Sequence, residues 1–392
     1  MNENNLRAEQ QVLLCVARRS LNANTVDRLR RLLAQSPDWD YLQDLAFDHG
    51  LLPLLALHVT SHCADFLPPV VLDRLRAELV TNRQGNLYLV RELLRVLSRF
   101  ESAGIDALAF KGPLLAQIVY EDTGLRQAGD LDILIHPNDF HRAAEVLREL
   151  AYKMEPQLTQ AQEKSHLRFD CEIQFVHEDA FSVVDLHWGM TPKTFPLALT
   201  ADEFLSNRKK VDFAGHSIET FGDEDLVFYL SVHAAKHYFR RLERMTTLAE
   251  LMRSNSKLSW AAVMAKARRA KAERITCLAL MLVESLYGLP VPEAFADLAA
   301  STGLKNTAVA IRADVLTNLT KPNQLQAFRW RLRFMSADDA YLSLVRAVFV
   351  PTISDWLAFS VPDALYPVYY LLRPVRLLAD YARRAAAHAS GA

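Results

Sequence analysis

The run Arg126-Gln127-Ala128-Gly129-Asp130-Leu131-Asp132-Ile133-Leu134-Ile135 sets two carboxylates into an otherwise apolar, strand-like segment, closed by His136-Pro137-Asn138-Asp139. Side chains alternate along a strand with period 2, so Asp130 and Asp132 share one face. Packed like charges raise each other's pKa and cost desolvation. A compensating cation is therefore expected on that face, and hard oxygen ligands favour Mg²⁺ or Mn²⁺. The plainer reading is an edge strand whose two aspartates are simply solvated. The sequence on either side of the run bears on the choice.

Upstream, Ala107-Leu108-Ala109-Phe110 reads as a strand ending in Lys111-Gly112-Pro113, and Pro113 to Tyr120 fits a short helix with proline in its first turn. Gly112 lets an anion approach the backbone at a helix mouth, and Lys111 adds a point charge. Taken alone, the pair is an ordinary strand-to-helix turn with a surface lysine. Downstream, Asp139 to Leu150 carries Phe140, Ala143, Ala144, Val146 and Leu147 at helical spacing. Leu167 to Val176 and Phe181 to Trp188 then read as a hairpin across His177-Glu178-Asp179-Ala180. The second arm holds Asp185 and His187 on one face. A third carboxylate from a neighbouring strand is what two-metal phosphoryl transfer requires, with a base nearby to take a hydroxyl proton. His187 reads equally well as a packed histidine bonded to backbone.

The flanks are helical. Val26, Leu29, Leu32 and Leu33 follow Asn24-Thr25, Val71, Leu75 and Leu79 follow Pro68-Pro69, and Leu87 to Phe100 form one long stripe ending at Ala103-Gly104. From about Ala201 the helical period returns through Leu226, Tyr229, Leu230, His233 and His237, then Leu248 to Met252, Trp260 to Tyr287 and Leu316 to Leu357. The expected fold class is α+β. Residues 1–103 form a helical N-terminal region, 104–190 a core with a small mixed β-sheet, and 191–392 a helical C-terminal domain.

Composition narrows the function classes. The 392 residues carry 45 Lys+Arg against 46 Asp+Glu and are 51% hydrophobic, so disorder and a global basic field for nucleic acid are both excluded. Cys15, Cys63, Cys171 and Cys277 form no C-x-x-C pair, which argues against a zinc ribbon or disulfide framework and for a reducing cytoplasm. The polar N-terminus lacks the pattern of a secretory signal. The apolar stretch Leu342 to Leu378 is cut by charges and prolines, so no transmembrane segment is expected.

Together, Lys111-Gly112, Arg126, Gly129-Asp130-x-Asp132 and Asp185-x-His187-Trp188 resemble the bacterial nucleotidyltransferase family of the DNA polymerase β-like nucleotidyltransferase superfamily, most clearly from Phe110 to Trp188. The resemblance implies that Asp130 and Asp132 ligate metal, that Asp185 is the third carboxylate, and that Gly112 lies along the phosphates with Lys111, Arg126 and Gly129 near them. It implies transfer of a nucleoside monophosphate from an NTP to a hydroxyl acceptor, releasing pyrophosphate. The acceptor, whether small molecule, peptide or RNA, is not named by any residue.

Departures accompany the likeness. The superfamily's glycine-serine pair is here Gly112-Pro113, which removes a hydroxyl and an N–H that would hold phosphate. Two rival functions follow: a transferase using another phosphorylated or nucleotide-sugar donor, and a non-catalytic nucleotide-binding scaffold. In His233-Ala234-Ala235-Lys236-His237 two histidines stand at zinc-capable i, i+4 spacing, but the glutamate of H-E-x-x-H is missing. In the resembled family a histidine-bearing helix follows the sheet, so His233, Lys236 or His237 is expected to line the cleft; a buried helix seam is the alternative. The basic Arg240 to Lys271 segment is a candidate for contact with triphosphate, nucleic acid or a membrane surface and the Tyr366 to Arg376 stretch for a peripheral membrane contact, against the plainer readings of a solvated face and an aromatic core; a biosynthetic-complex contact is the other partner considered.

Overall fold

In the computed structural model, residues 6–195, 197, 199–317, 329–330, 332–335 and 337–390 are described. The chain begins with four helices, Ala8–Val16, Ala23–Leu33, Trp39–Asp48 and Leu52–His62. The second and third start where side-chain oxygens of Asn22 and Asp38 accept from the amides of Thr25 and Tyr41. A 34-residue helix, Pro69–Ser102, follows the Pro68-Pro69 signal and stops before Gly104, which has φ +67°.

Five strands form the central sheet: β1 (Ala107–Ala109), β2 (Leu131–Ile135), β3 (Tyr152–Glu155), β4 (Glu172–His177) and β5 (Val183–His187). Their spatial order is β1-β2-β5-β4-β3. Only the β2/β5 pair is parallel, so the sheet is mixed and the fold is α+β with helical flanks. Helices Gly112–Tyr120, Phe140–Glu149 and Gln160–Phe169 connect the strands.

Alternation sorts the sheet into two faces. Leu131, Ile133 and Ile135 of β2, with Val184 and Leu186 of β5, pack into a core with Leu89, Phe100, Phe140 and Leu147 from the long helix and Phe140–Glu149. Leu134 belongs to the other core, which unites the N-terminal helices with Leu226, Leu248 and Leu278 of the C-terminal ones. Asp132 is on the same face of β2 as Leu134. The acidic face of the sheet is therefore turned toward helix Asp223–Lys236 and its neighbours.

The structure departs from expectation in three segments. Leu167 to Phe169 end helix Gln160–Phe169, which a reciprocal Thr159–Gln162 capping box starts, and β4 begins only at Glu172. Strand β3 was not expected; its four residues alternate buried and exposed on the free edge of the sheet. After helix Ala201–Ser206, a hairpin of β6 (Arg208–Phe213) and β7 (His216–Phe221) interrupts the expected helical region. Its turn, Ala214-Gly215, has φ of 53° and 79°, the geometry that suits two-residue hairpins. Helices Asp223–Lys236, Leu242–Ser254, Trp260–Arg269 and Glu273–Tyr287 then follow. Within the expected helical stretch Leu316 to Leu357, residues 318–328, 331 and 336 lie outside the described residues, and Ala337–Phe349 and Ile353–Ala358 are helical.

Candidate functional site

Asp132 and Asp185 stand side by side as register partners on the parallel strands β2 and β5. Both Asp132 and His187 are buried, each only 2% exposed. Two donors converge on one oxygen of Asp132: Lys111 Nζ ion-pairs with Oδ1, and His187 Nε2 lies 3.0 Å from the same atom. The second oxygen, Oδ2, is buried with no hydrogen-bond partner. Burial works against the charged form of Asp132, but Lys111 and the His187 hydrogen bond outweigh it and hold the carboxyl well below the usual carboxylate range.

Asp185 behaves oppositely. Burial, then the negative charges of Asp132 and Asp130, push it up to about 6, although Gln174 Nε2 donates to its Oδ1 at 3.0 Å. Asp130 lies just before β2, half-buried, and the charge of Asp132 raises its pKa. Asp132, Asp185 and His187 offer ligand atoms that all lie within 4.8 Å of one another. Asp130 is not part of that group. Among the described residues no other cluster of histidine, cysteine, aspartate or glutamate has metal-ligand spacing, so His233 and His237 belong to none.

The next shell runs along β4 to the C-terminal helices. Glu172 faces His187 across the β4/β5 register, with Oε2 3.2 Å from His187 Nδ1. Lys236, at the end of helix Asp223–Lys236, closes on the same carboxylate at 3.2 Å. Burial raises the Glu172 pKa, and the neighbouring His187 and Lys236 overcome this to bring it down to about 2. The His233 and His237 rings pack at a 55° tilt with 4.7 Å between centroids, and Tyr229 OH lies 3.3 Å from His233 Nδ1. Burial drives both histidine pKa values down, His237 to about 2. Tyr229 and His187 each meet the Phe110 ring edge-to-face, which seats this helix against the residue preceding Lys111.

Arg126 is turned inward. Its Nε donates to Glu243 Oε1 at 2.7 Å and its Nη1 reaches the Gly112 carbonyl at 3.5 Å. Gly112 is buried at φ +60°, whereas Gly129 is exposed. The loop before β2 hangs from the long N-terminal helix. Asn86 Nδ2 donates to the carbonyls of Thr123 (2.5 Å) and Arg126 (2.8 Å), and Asn82 Nδ2 to those of Gly124 (2.7 Å) and Arg126 (3.2 Å).

Of the residues expected at the site, Lys111, Asp132, Asp185 and His187 meet directly, Asp130 is joined to them by charge, and Lys236 reaches them through Glu172. Sequence reading missed Glu172, Gln174, Glu243, Asn82 and Asn86. Glu172 and Gln174 alternate with Ile173 and Phe175, a period-2 signal that points to the face of Asp185 only once the register is known.

The central strands of the mixed sheet thus hold a carboxylate pair, Asp132 buried and Asp185 half-buried, backed by a lysine at a helix start. The chain belongs to the uncharacterised nucleotidyltransferase family. That family's model matches residues 35–288, from the third helix through the sheet to helix Glu273–Tyr287. Nucleotidyl transfer is thus the general activity class of this family member. No curated protein matches the chain.

Among the described residues no helix is long and apolar enough to cross a membrane. The aromatic-basic stretch at Tyr366 to Arg376 is split: Tyr369 and Arg373 are buried, whereas Val368, Leu371 and Val375 are exposed. Tyr369 is buried and donates to the Phe359 carbonyl, and Arg373 and Arg376 ion-pair with the buried Asp355.

Proposed function

We propose that this nucleotidyltransferase moves a nucleoside monophosphate from an NTP to a hydroxyl acceptor with release of pyrophosphate, using a divalent cation at Asp132, Asp185 and His187. The observation that carries the reading is the in-register pair Asp132 and Asp185 with one buried, unpartnered carboxylate oxygen. A buried polar atom without a partner costs free energy, and a cation offsets that cost. The donor set of two carboxylates and one imidazole suits Mg²⁺ or, with its nitrogen, Mn²⁺ better. When bound, the cation neutralises phosphate charge and acidifies the acceptor hydroxyl.

The chain's own residues do the rest in this reading. Lys111 keeps Asp132 ionised. Asp185, which burial and like charge push up to about 6 on their own, would be held ionised by the cation and supply its second carboxylate ligand. Asp130 lies beside them as a further acidic group. Arg126 fixes the Gly112 carbonyl and so the shape of the turn that the triphosphate meets. Residues 104–190 carry the chemistry, and regions 1–103 and 191–392 form the walls, with His233, Lys236 and His237 on the nucleotide or acceptor side. The buried cysteines, none in a disulfide, support a cytoplasmic location.

The test is pyrophosphate release from each NTP over a panel of hydroxyl acceptors, with Mn²⁺ or Mg²⁺, for the wild type and Asp132→Asn. Metal-dependent release abolished in the variant supports the assignment. Undiminished turnover in Asp132→Asn sinks it, and NTP binding without release over the panel favours the scaffold reading instead.

A further inference from the structure

On the helical side of the molecule, a cleft of about 460 Å³ opens where the end of helix Ala8–Val16, the start of Ala23–Leu33 and the end of Glu273–Tyr287 converge. None of its lining belongs to the acidic sheet. Leu14 and Leu286 give it an apolar part, while Arg18, Arg28, Glu284 and Ser285 give it a polar one. The volume is that of an ordinary small-molecule pocket.

The charge balance in this cleft is uneven. Glu284, its acid, accepts from the Val291 amide at 3.2 Å. Arg18 Nε is buried and has no hydrogen-bond partner. Glu250 is the acid whose charge reaches Arg18, but it already ion-pairs with Arg253. Burial and the charge of Arg253 pull the Arg18 pKa down. A partly desolvated guanidinium beside a second cation is short of negative charge, and an anion bound at its accessible end supplies it.

We propose that this cleft is a second ligand site, separate from the acidic centre, for a small molecule that bears a phosphate or carboxylate group and anchors it on Arg18. Arg28 lines the same opening, and Leu14 with Leu286 contacts the organic part of the ligand.

Calorimetric titration with inorganic phosphate and with citrate, both on protein freed of metal by a chelating resin, tests this without loading the acidic centre. At least one of the two anions binds saturably to the wild type, and which one distinguishes a phosphate from a carboxylate ligand. Arg18→Gln weakens that binding about tenfold or more, whereas Asp132→Asn leaves it unchanged. Ser285→Trp, at an exposed lining position, blocks the cleft without replacing Arg18, and decides the matter should Arg18→Gln fail to fold. Absence of saturable binding by either anion, or wild-type affinity in the variant that folds, overturns the proposal.

Discussion

Gly112 and Asp130 meet backbone to backbone: a Cβ added to Gly112 would lie 2.8 Å from the Asp130 carbonyl oxygen, a distance real Cβ atoms do not adopt. Gly112 also has φ +60°, which an L side chain occupies only with strain. The glycine thus serves first to let the strand-to-helix turn close against the start of β2. Gly112→Ala is expected to destabilise the protein by about 1–3 kcal/mol and to displace Asp130, lowering turnover together with thermal stability. Thermal unfolding and activity measured side by side check this, and an unaltered melting temperature contradicts it.

The Lys111–Asp132 ion pair is almost wholly inside, with side chains 11% and 1% exposed. Removing one partner of such a pair leaves the other charge buried and costs about 3–5 kcal/mol, with the remaining His187 contact keeping the effect toward the low end. Lys111→Met is therefore expected to be less stable in EDTA than the wild type, and to bind Mn²⁺ more tightly because the lysine no longer competes with the cation for Asp132 Oδ1. Denaturant unfolding with and without Mn²⁺, and Mn²⁺ titration followed by electron paramagnetic resonance, read both effects. Equal Mn²⁺ affinity in the two proteins would show that lysine and cation do not compete for Asp132.

The site was legible where chemistry and periodicity coincide. Leu131–Ile135 was readable as a strand because an apolar run ends at His136-Pro137, and the spacing of Asp185 and His187 disclosed their common face. Register was not legible. That Asp132 pairs with Asp185, and Glu172 with His187, depends on which strands become neighbours, and the β1-β2-β5-β4-β3 order is a long-range outcome. Leu167 to Phe169 misled because a short alternating run cannot be told from the end of a helix by period alone. The T-x-x-Q box at Thr159–Gln162 was the available correction. Lys111 illustrates a different limit: composition shows a cation beside a glycine, but only packing turns it onto Asp132.

Arg126 and Glu243 tie the loop before β2 to the first turn of helix Leu242–Ser254, with side chains 14% and 11% exposed. Thr247 Oγ1 also donates to Glu243 Oε1, so Glu243 keeps one partner if the arginine is lost. Arg126→Met is expected to cost about 3–5 kcal/mol because it strands a buried carboxylate, and the double variant Arg126→Met/Glu243→Leu to be more stable than that single variant. A double-mutant cycle by urea denaturation gives the coupling. Strict additivity of the two changes would mean that the pair contributes nothing to holding the loop.

His49 supplies the acid limit of stability. It is 1% exposed, its Nδ1 accepts from the Leu242 amide at 3.3 Å, and burial followed by the charge of Arg241 lowers its pKa from 6.5 to about 4. The folded protein holds this ring neutral, while the unfolded chain protonates it near pH 6.5. As the pH falls below 6.5, the unfolded state gains the proton first, so the stability His49 contributes is complete above that pH and is lost progressively down to pH 4. A shift of this size corresponds to about 3 kcal/mol over the window. His58 and His237 are shifted in the same direction and add to the slope. His49→Asn, which retains a hydrogen-bond acceptor but does not titrate, is expected to flatten the dependence of urea stability on pH between 6.5 and 4 without abolishing it. An identical slope in wild type and variant would show that His49 is not held neutral by the fold.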